Sequence, residues 1–427
     1  MKNKKLIIVF LIVFIVQIFL GNMSFALENN IEISAPSAIL IESKTGRILY
    51  EKNSEEKRYP ASTTKIMTAL LTLENVEDLQ SKATVSYNAV FSVPSGYSVD
   101  TLKVGEELSI EELLYALLVK SSNEAANVLA EYVAGNVDSF ATMMNTRAAE
   151  LGCKNTNFVN PNGIHNENHY STAYDLSLIA KEAMKNETFR KIVSTVSHTL
   201  PSTNKYEQTD RNLITTNDLI NKKNKNYYEY AIGIKTGYTA YAKNCLVAGA
   251  NKDGVELISV VLGTDKKEIK GLSKRDTDTK TLFEYVYNNF LQKKVSTARE
   301  TVVGQTKIKG ATTETKNLDL NTDSDINILV TNDKEKDEIN GEIKLNEDIK
   351  APIAKGDTLG TITYNSDGTE YTANVIAAND VQKSNLILNI LRILLVIVLL
   401  LLTYLYLKNK RKRKINKKHK KANYVYK

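Results

Sequence analysis

The chain has 427 residues, 42% of them hydrophobic and 25% charged, which is too long for one compact core and too apolar for a disordered segment. Its formal net charge of +7 would suit a nucleic-acid binder, but the cations sit at the two ends. Residues 1–26 hold three lysines and residues 408–427 hold eleven Lys/Arg, neither with an acid; with these and Arg392 set aside, residues 27–391 carry −8. An acidic body argues against nucleic acid as a partner.

At the N-terminus, Met1–Lys5 is basic, Leu6–Leu20 is apolar apart from Gln17, and Ser24-Phe25-Ala26 offers small residues for cleavage. These features predict a secretory signal peptide over residues 1–26, cut after Ala26; the apolar run is short for an uncleaved anchor. Next, Ala38–Ile41 and Arg47–Tyr50 read as strands flanking a Ser43-Lys44-Thr45-Gly46 turn. Ser62–Leu73 has near-helical apolar spacing directly after Pro60. Ile110–Val119 and Glu124–Val133 predict two helices broken at Ser121-Ser122, and Thr172–Lys185 a further one. Ile232–Thr236, Cys245–Asn251 and Leu257–Leu262 read as strands, and Thr279–Leu291 as a closing helix. A hairpin, then helices, then strands, then a helix predicts an α+β domain over residues 33–292, a mixed sheet with a helical subdomain.

The texture changes from about Lys294. Residues 296–380 are rich in Thr, Asp, Lys and Val, and their short alternating runs (Ile326–Thr331, Glu342–Leu345, Thr358–Tyr364) predict a small all-β domain. After a polar spacer, residues 386–407 are mostly Leu, Ile and Val. At ~1.5 Å per residue they reach about 33 Å, enough to cross a bilayer as a transmembrane helix. The basic segment 408–427 follows at once, which by the positive-inside rule predicts a cytoplasmic C-terminus and an external body.

Cys153 and Cys245 are too few for a disulfide framework or a metal cluster and read as plain thiols. His165 and His169 are four apart, but the intervening Asn166-Glu167-Asn168 reads as loop rather than as a helical metal pair. No cofactor or metal is expected.

Three short patterns carry the chemistry, and each occurs more than once. Ser-x-x-Lys appears at Ser54, Ser62 and Ser202; Ser-x-Asn at Ser86, Ser121 and Ser202; Lys-Thr-Gly at Lys44 and Lys235. A serine nucleophile needs an exposed hydroxyl at a helix start with a lysine one turn on, and only Ser62/Lys65 leads into an apolar helix. Ser121-Ser122-Asn123 sits between two helices, whereas Ser86 lies in a predicted strand-to-turn segment. Lys235-Thr236-Gly237 lies on a strand where glycine permits close approach of a ligand, whereas Lys44 belongs to a hairpin turn.

Ser62-x-x-Lys65, Ser121-x-Asn123 and Lys235-Thr236-Gly237, in that order, resemble the triple motif of the penicillin-recognising serine enzymes. Tyr59-Pro-Ala-Ser-Thr-Thr-Lys65, Asn160-Pro-Asn-Gly163, Tyr170-Ser-Thr-Ala-Tyr-Asp175 and Gly233-Ile-Lys-Thr-Gly-Tyr-Thr239 resemble the D-alanyl-D-alanine carboxypeptidases in particular. Ala351-Pro-Ile-Ala-Lys-Gly-Asp357 is similar to the end of their C-terminal β domain.

The resemblance implies a penicillin-binding-protein and β-lactamase-like transpeptidase fold. It also implies a reaction in which Ser62 attacks the penultimate D-alanine of a peptidoglycan stem peptide and water hydrolyses the acyl-enzyme. Lys65 would take the Ser62 proton, Ser121 would pass it to the leaving amine, and Asn123 would hold Lys65 or the substrate amide. Lys235 and Thr236 would bind the terminal carboxylate, with Gly237 and Tyr238 completing the substrate-binding strand. The backbone N–H groups of Ser62 and Tyr238 would form the oxyanion hole, and β-lactams would inhibit by acylating Ser62. For Lys65 to act as base, burial and the charge of Lys235 must lower its pKa from the usual 10.4 or so. A further carboxylate-binding arginine is expected near Arg275. DD-endopeptidase and β-lactamase action use the same residues, although no Glu-x-x-Leu-Asn lies between Asn123 and Lys235; a non-catalytic wall-binding module would leave these groups unexplained.

Overall fold

The computed structural model describes residues 31–97, 102–208, 210–265 and 272–422, so the expected signal peptide lies outside the described residues. The chain divides into two compact units: residues up to 293 with 329–337 and 366–369, and residues 294–328 and 338–365 with those from 370 onward.

The first unit opens with the expected hairpin, β1 (Ser37–Glu42) and β2 (Ile48–Lys52). A 3-10 turn at Ala61–Thr64 then runs into α1 (Lys65–Asn75), so the helix expected from Ser62 begins as a tighter turn. Thr63 Oγ1 donates to the Pro60 carbonyl at 2.7 Å and holds that turn. After β3 (Lys82–Thr84) comes a short α2 (Tyr87–Phe91), capped by Ser86, where a strand-to-turn segment was expected. The Ser86 hydroxyl accepts from the Ala89 N–H, and this cap decides for helix where propensity alone did not.

Next come β4 (Glu107–Ser109), α3 (Ile110–Leu118), α4 (Asn123–Ala134) and α5 (Val137–Glu150). The expected break between α3 and α4 is present: Ser121 takes a φ of +68° and Ser122 caps α4 through the Ala125 N–H. Helix α5 was not anticipated, because only Phe140, Ala141, Met144 and Ala148 are buried in an otherwise polar stretch. Helices α6 (Ala173–Ala183) and α7 (Glu187–Val193) and the small pair β5 (Ser197–Thr199) and β6 (Asn212–Ile214) complete the helical part.

Strands β7 (Ala231–Thr239), β8 (Lys243–Lys252) and β9 (Val255–Thr264) join β1 and β2 in a five-stranded antiparallel sheet of order β2-β1-β9-β8-β7. Helix α8 (Lys274–Asn289) begins five residues before the expected Thr279 and stops at Asn289, because Phe290 is already extended. The sheet is apolar on both faces. Ile39, Ile41, Val247, Ile258 and Val260 pack with the helical subdomain, while Ala38, Leu40, Leu246, Leu257 and Val261 pack against Leu282, Phe283 and Val286 of α8. Alternate residues of one strand therefore serve two cores.

β10 (Phe290–Ser296) leads into the second unit. There β11 (Gly304–Lys307), β12 (Asn317–Thr322), β13 (Ile326–Thr331), β14 (Gly341–Leu345), β15 (Thr358–Ser366) and β16 (Thr369–Ala377) include a five-stranded sheet of order β11-β12-β16-β15-β14. Inward positions such as Leu318, Leu320, Ile362, Tyr371, Ala373 and Val375 are buried at the expected period of two. The closing α9 (Leu386–Ala422) contains a stretch long and apolar enough to cross a membrane. It continues past residue 407 through the basic run, as lysine and arginine favour helix when solvated.

Candidate active site

Helix α1 is buried on nearly every side, from Lys65 to Thr72. Its first residue therefore carries an amine into the protein interior, an arrangement that must be offset by hydrogen bonds. Lys65 is fully buried, and its Nζ lies 2.9 Å from Ser62 Oγ, 2.7 Å from Asn123 Oδ1 and 2.5 Å from the Asn162 carbonyl. Ser62, one turn earlier in the 3-10 segment, is partly exposed. Burial, and then the nearby charge of Lys235, hold the Lys65 pKa well below 10.5, against an opposing pull from Glu124. A neutral Lys65 has two N–H groups for the two carbonyl-type acceptors and a lone pair for the Ser62 hydroxyl.

The expected strand approaches the same turn. In β7, Lys235, Thr236 and Gly237 pair with Val247, Leu246 and Cys245 of β8, and β7 is the edge strand of the sheet. A Cβ on Gly237 would lie 3.0 Å from the Pro60 carbonyl oxygen and 3.1 Å from the Ser62 nitrogen. The glycine thus lets the strand lie against the backbone of the nucleophile turn, as its sequence context suggested. Lys235 is also buried; burial, with a contribution from Arg275, lowers its pKa to about 7. Thr236 Oγ1 lies 2.6 Å from Thr216 Oγ1, and Tyr238 is exposed. Arg275, near the start of α8, directs Nε to Asp276 Oδ1 at 3.2 Å.

Ser121 lies at the α3–α4 break in its left-handed conformation, next to the cap of the helix whose first residue is Asn123. Asn123 is fixed at both ends of its amide: Oδ1 accepts from Lys65, and Nδ2 donates to the Tyr97 carbonyl at 2.6 Å. The rejected copies of the motifs lie elsewhere. Ser54 donates to Glu51 at 2.7 Å, Lys44 is an exposed turn residue, and Ser202 is exposed.

Sequence reasoning assigned no role to Asn162, Thr216 or Asn127. The Asn160-Pro-Asn-Gly163 segment was quoted for its resemblance alone, yet its carbonyl reaches Lys65. Gly163 has a φ of +82°, and a Cβ there would fall 1.9 Å from the Ala61 carbonyl oxygen, so only glycine lets this loop sit under the Ser62 turn. His169 is buried as well. Its Nδ1 accepts the Val159 N–H at 3.1 Å and its Nε2 lies 2.8 Å from Thr64 Oγ1, while burial lowers its pKa to about 3. His165 stacks on Tyr241 with ring centroids 3.8 Å apart. The two histidines thus face different partners.

This fold and site define a serine-type peptidase. Residues 23–266 match the family described as D-alanyl-D-alanine carboxypeptidase, and residues 290–383 match the penicillin-binding protein 5 C-terminal domain. The chain belongs to the D-alanyl-D-alanine carboxypeptidase family. It is 35% identical over 360 residues to the D-alanyl-D-alanine carboxypeptidase DacF of Bacillus subtilis, covering 83% of this chain and 87% of that one. Among solved structures it is similar to penicillin binding protein 5 from Haemophilus influenzae, with a TM-score of 0.64 at 28% identity over 83% of this chain and 99% of the other. The Streptomyces K15 DD-transpeptidase aligns with a TM-score of 0.56 at 34% identity, over 61% of this chain and 99% of its own.

Proposed function

We propose that this protein removes the terminal D-alanine from peptidoglycan stem peptides through an acyl-enzyme on Ser62. The observation that carries the reading is the fully buried, pKa-lowered Lys65 amine 2.9 Å from the Ser62 hydroxyl. Lys65 accepts the Ser62 proton as the oxygen attacks the penultimate carbonyl. The backbone N–H groups of Ser62 and Tyr238 receive the oxyanion, Ser121 passes the proton to the departing D-alanine, and Asn123 holds Lys65. Lys235 and Thr236, with Gly237 giving close approach, bind the terminal carboxylate. A cation and a hydroxyl are the donors an anion that only accepts requires. β-Lactams enter by the same carbonyl attack and remain as acyl adducts.

The domain reading rests on the charge and hydropathy pattern of the sequence and on the two family matches. Residues 1–26 direct export, 33–292 carry the reaction, 296–380 form the β domain, 386–407 span the membrane, and 408–427 remain in the cytoplasm. Continuity of α9 through Lys408–Lys414 supports a basic helical stop at the inner face.

Purified residues 27–385 should release D-alanine from an acyl-D-Ala-D-Ala peptide and bind labelled penicillin covalently at Ser62. Labelling that persists in Ser62→Ala overturns the nucleophile assignment. The likeness to a chain called a DD-transpeptidase favours one second reading, acyl transfer to an amine in place of water. Adding an amine acceptor and measuring transfer product against free D-alanine separates the two.

A further inference from the structure

The two amides that hold Lys65 are themselves anchored on one surface segment. Asn123 Nδ2 donates to the Tyr97 carbonyl at 2.6 Å. On the other side, the Asn162 side chain braces its own loop: Oδ1 accepts from the Ile164 N–H at 2.9 Å, and Nδ2 donates to Asn127 Oδ1 at 3.0 Å. Asn127, one turn after Asn123 on α4, sends Nδ2 to both the Ala89 carbonyl and Ser92 Oγ, each at 3.1 Å. Asn127 and Asn162 are both more than nine-tenths buried. All three polar positions of the Asn127 amide that can be counted, one acceptor and two donors, are therefore used.

The geometry points to Asn127 as a positioning residue for the acylation step: through Asn162 it sets the carbonyl that orients the Lys65 amine toward Ser62. Two N–H groups of a neutral amine fix where its lone pair points, so both acceptors matter. Asn123 supplies one directly. The other is a backbone carbonyl in a loop with no helix or strand of its own, and the Asn162–Asn127 hydrogen bond ties that residue's side chain to α4. Segment 86–97 then bears both arms, through Tyr97 for Asn123 and through Ala89 and Ser92 for Asn127. Loss of the Asn127 amide removes the tie to α4 and leaves the Asn162 carbonyl placed by the Thr68 bond to the Pro161 carbonyl and by the loop's own Asn160 bridges, a looser hold. Displacements of about 1 Å at a reacting group cost up to about a hundredfold in rate.

This inference rests on Lys65 being the base of the proposed reaction, and the test keeps the two apart. Acylation of the wild type, Asn127→Ala, Asn162→Ala and the double variant by labelled penicillin is followed against pH, with D-alanine release measured in parallel. Asn127→Ala is expected to acylate about tenfold slower, with KM for the peptide little changed and the fall in kcat. Its acid limb should move to lower pH, since a lost carbonyl acceptor had favoured the protonated amine. The double variant should be no slower than the slower single one, because both substitutions cut the same link. Should Asn127→Ala fail to fold cooperatively, Asn162→Ala gives the same readouts. Wild-type acylation rate and pH profile in both single variants would overturn the positioning role alone; absence of labelling in the wild type would overturn the function itself.

Discussion

Lys65 and Lys235 are both buried amines, and the charge of Lys235 adds to burial in lowering the Lys65 pKa. Burial, with a contribution from Arg275, lowers the Lys235 pKa to about 7. In the proposed reaction one lysine serves as base and the other as anion receptor. The same residue type takes two roles because the environments differ.

The first prediction concerns pH. Lys235, at about 7 in the free enzyme, loses its charge as pH rises through that value, and with it the attraction for the substrate carboxylate. kcat/KM for D-alanine release should therefore fall on the alkaline side of about 7. A bound carboxylate favours the protonated lysine, so the corresponding limb in kcat should lie higher. Lys235→Arg keeps its charge at every working pH and should lose this limb, with a higher KM from altered geometry. An alkaline limb unchanged in Lys235→Arg would rule out this assignment.

Lys235→Ala tests the binding role directly. Removing one hydrogen bond to a charged group costs about 2 kcal/mol, or roughly thirtyfold in affinity. The increase should appear in KM more than in kcat. Thr216→Val should give a smaller KM increase of a few-fold, because the Thr216 hydroxyl shares a hydrogen bond with Thr236 Oγ1 at 2.6 Å and helps to fix the latter's position.

Gly163→Ala should destabilise the first unit by about 3 kcal/mol or more, because φ is +82° and the new Cβ would meet the Ala61 carbonyl oxygen at 1.9 Å. Denaturant unfolding measures this. A loss below about 1 kcal/mol would show that the loop yields without strain.

His169 predicts an acid-sensitive fold. Its folded pKa of about 3 lies below the unfolded value of about 6.5, so the unfolded chain binds a proton first as pH falls. Its contribution is complete above 6.5 and declines by about 1.4 kcal/mol per pH unit down to about 3. His169→Asn should flatten the stability profile across that window. An equally steep profile in the variant would assign the acid loss to other groups.

Much of this protein was legible in the sequence because its signals are local. The β1–β2 hairpin, the break at Ser121-Ser122 and the three strands β7–β9 follow from apolar period and turn chemistry, which act over a few residues. The choice of Ser62 over Ser54 needed only the difference between an apolar helix and a charge run. Helix α5 escaped because a narrow stripe of four buried residues sets its face, and the short α2 because a single serine cap decides it. The motif order named Ser62, Lys65, Ser121, Asn123 and Lys235 without showing how they meet. Only the tertiary structure could show that the Asn162 carbonyl reaches Lys65 across 97 positions, or that Asn127 braces it, since a backbone carbonyl has no sequence signature. Whether Lys65 can be a base was likewise a tertiary matter, because its proton affinity depends on burial and on Lys235, and folding alone brings those together.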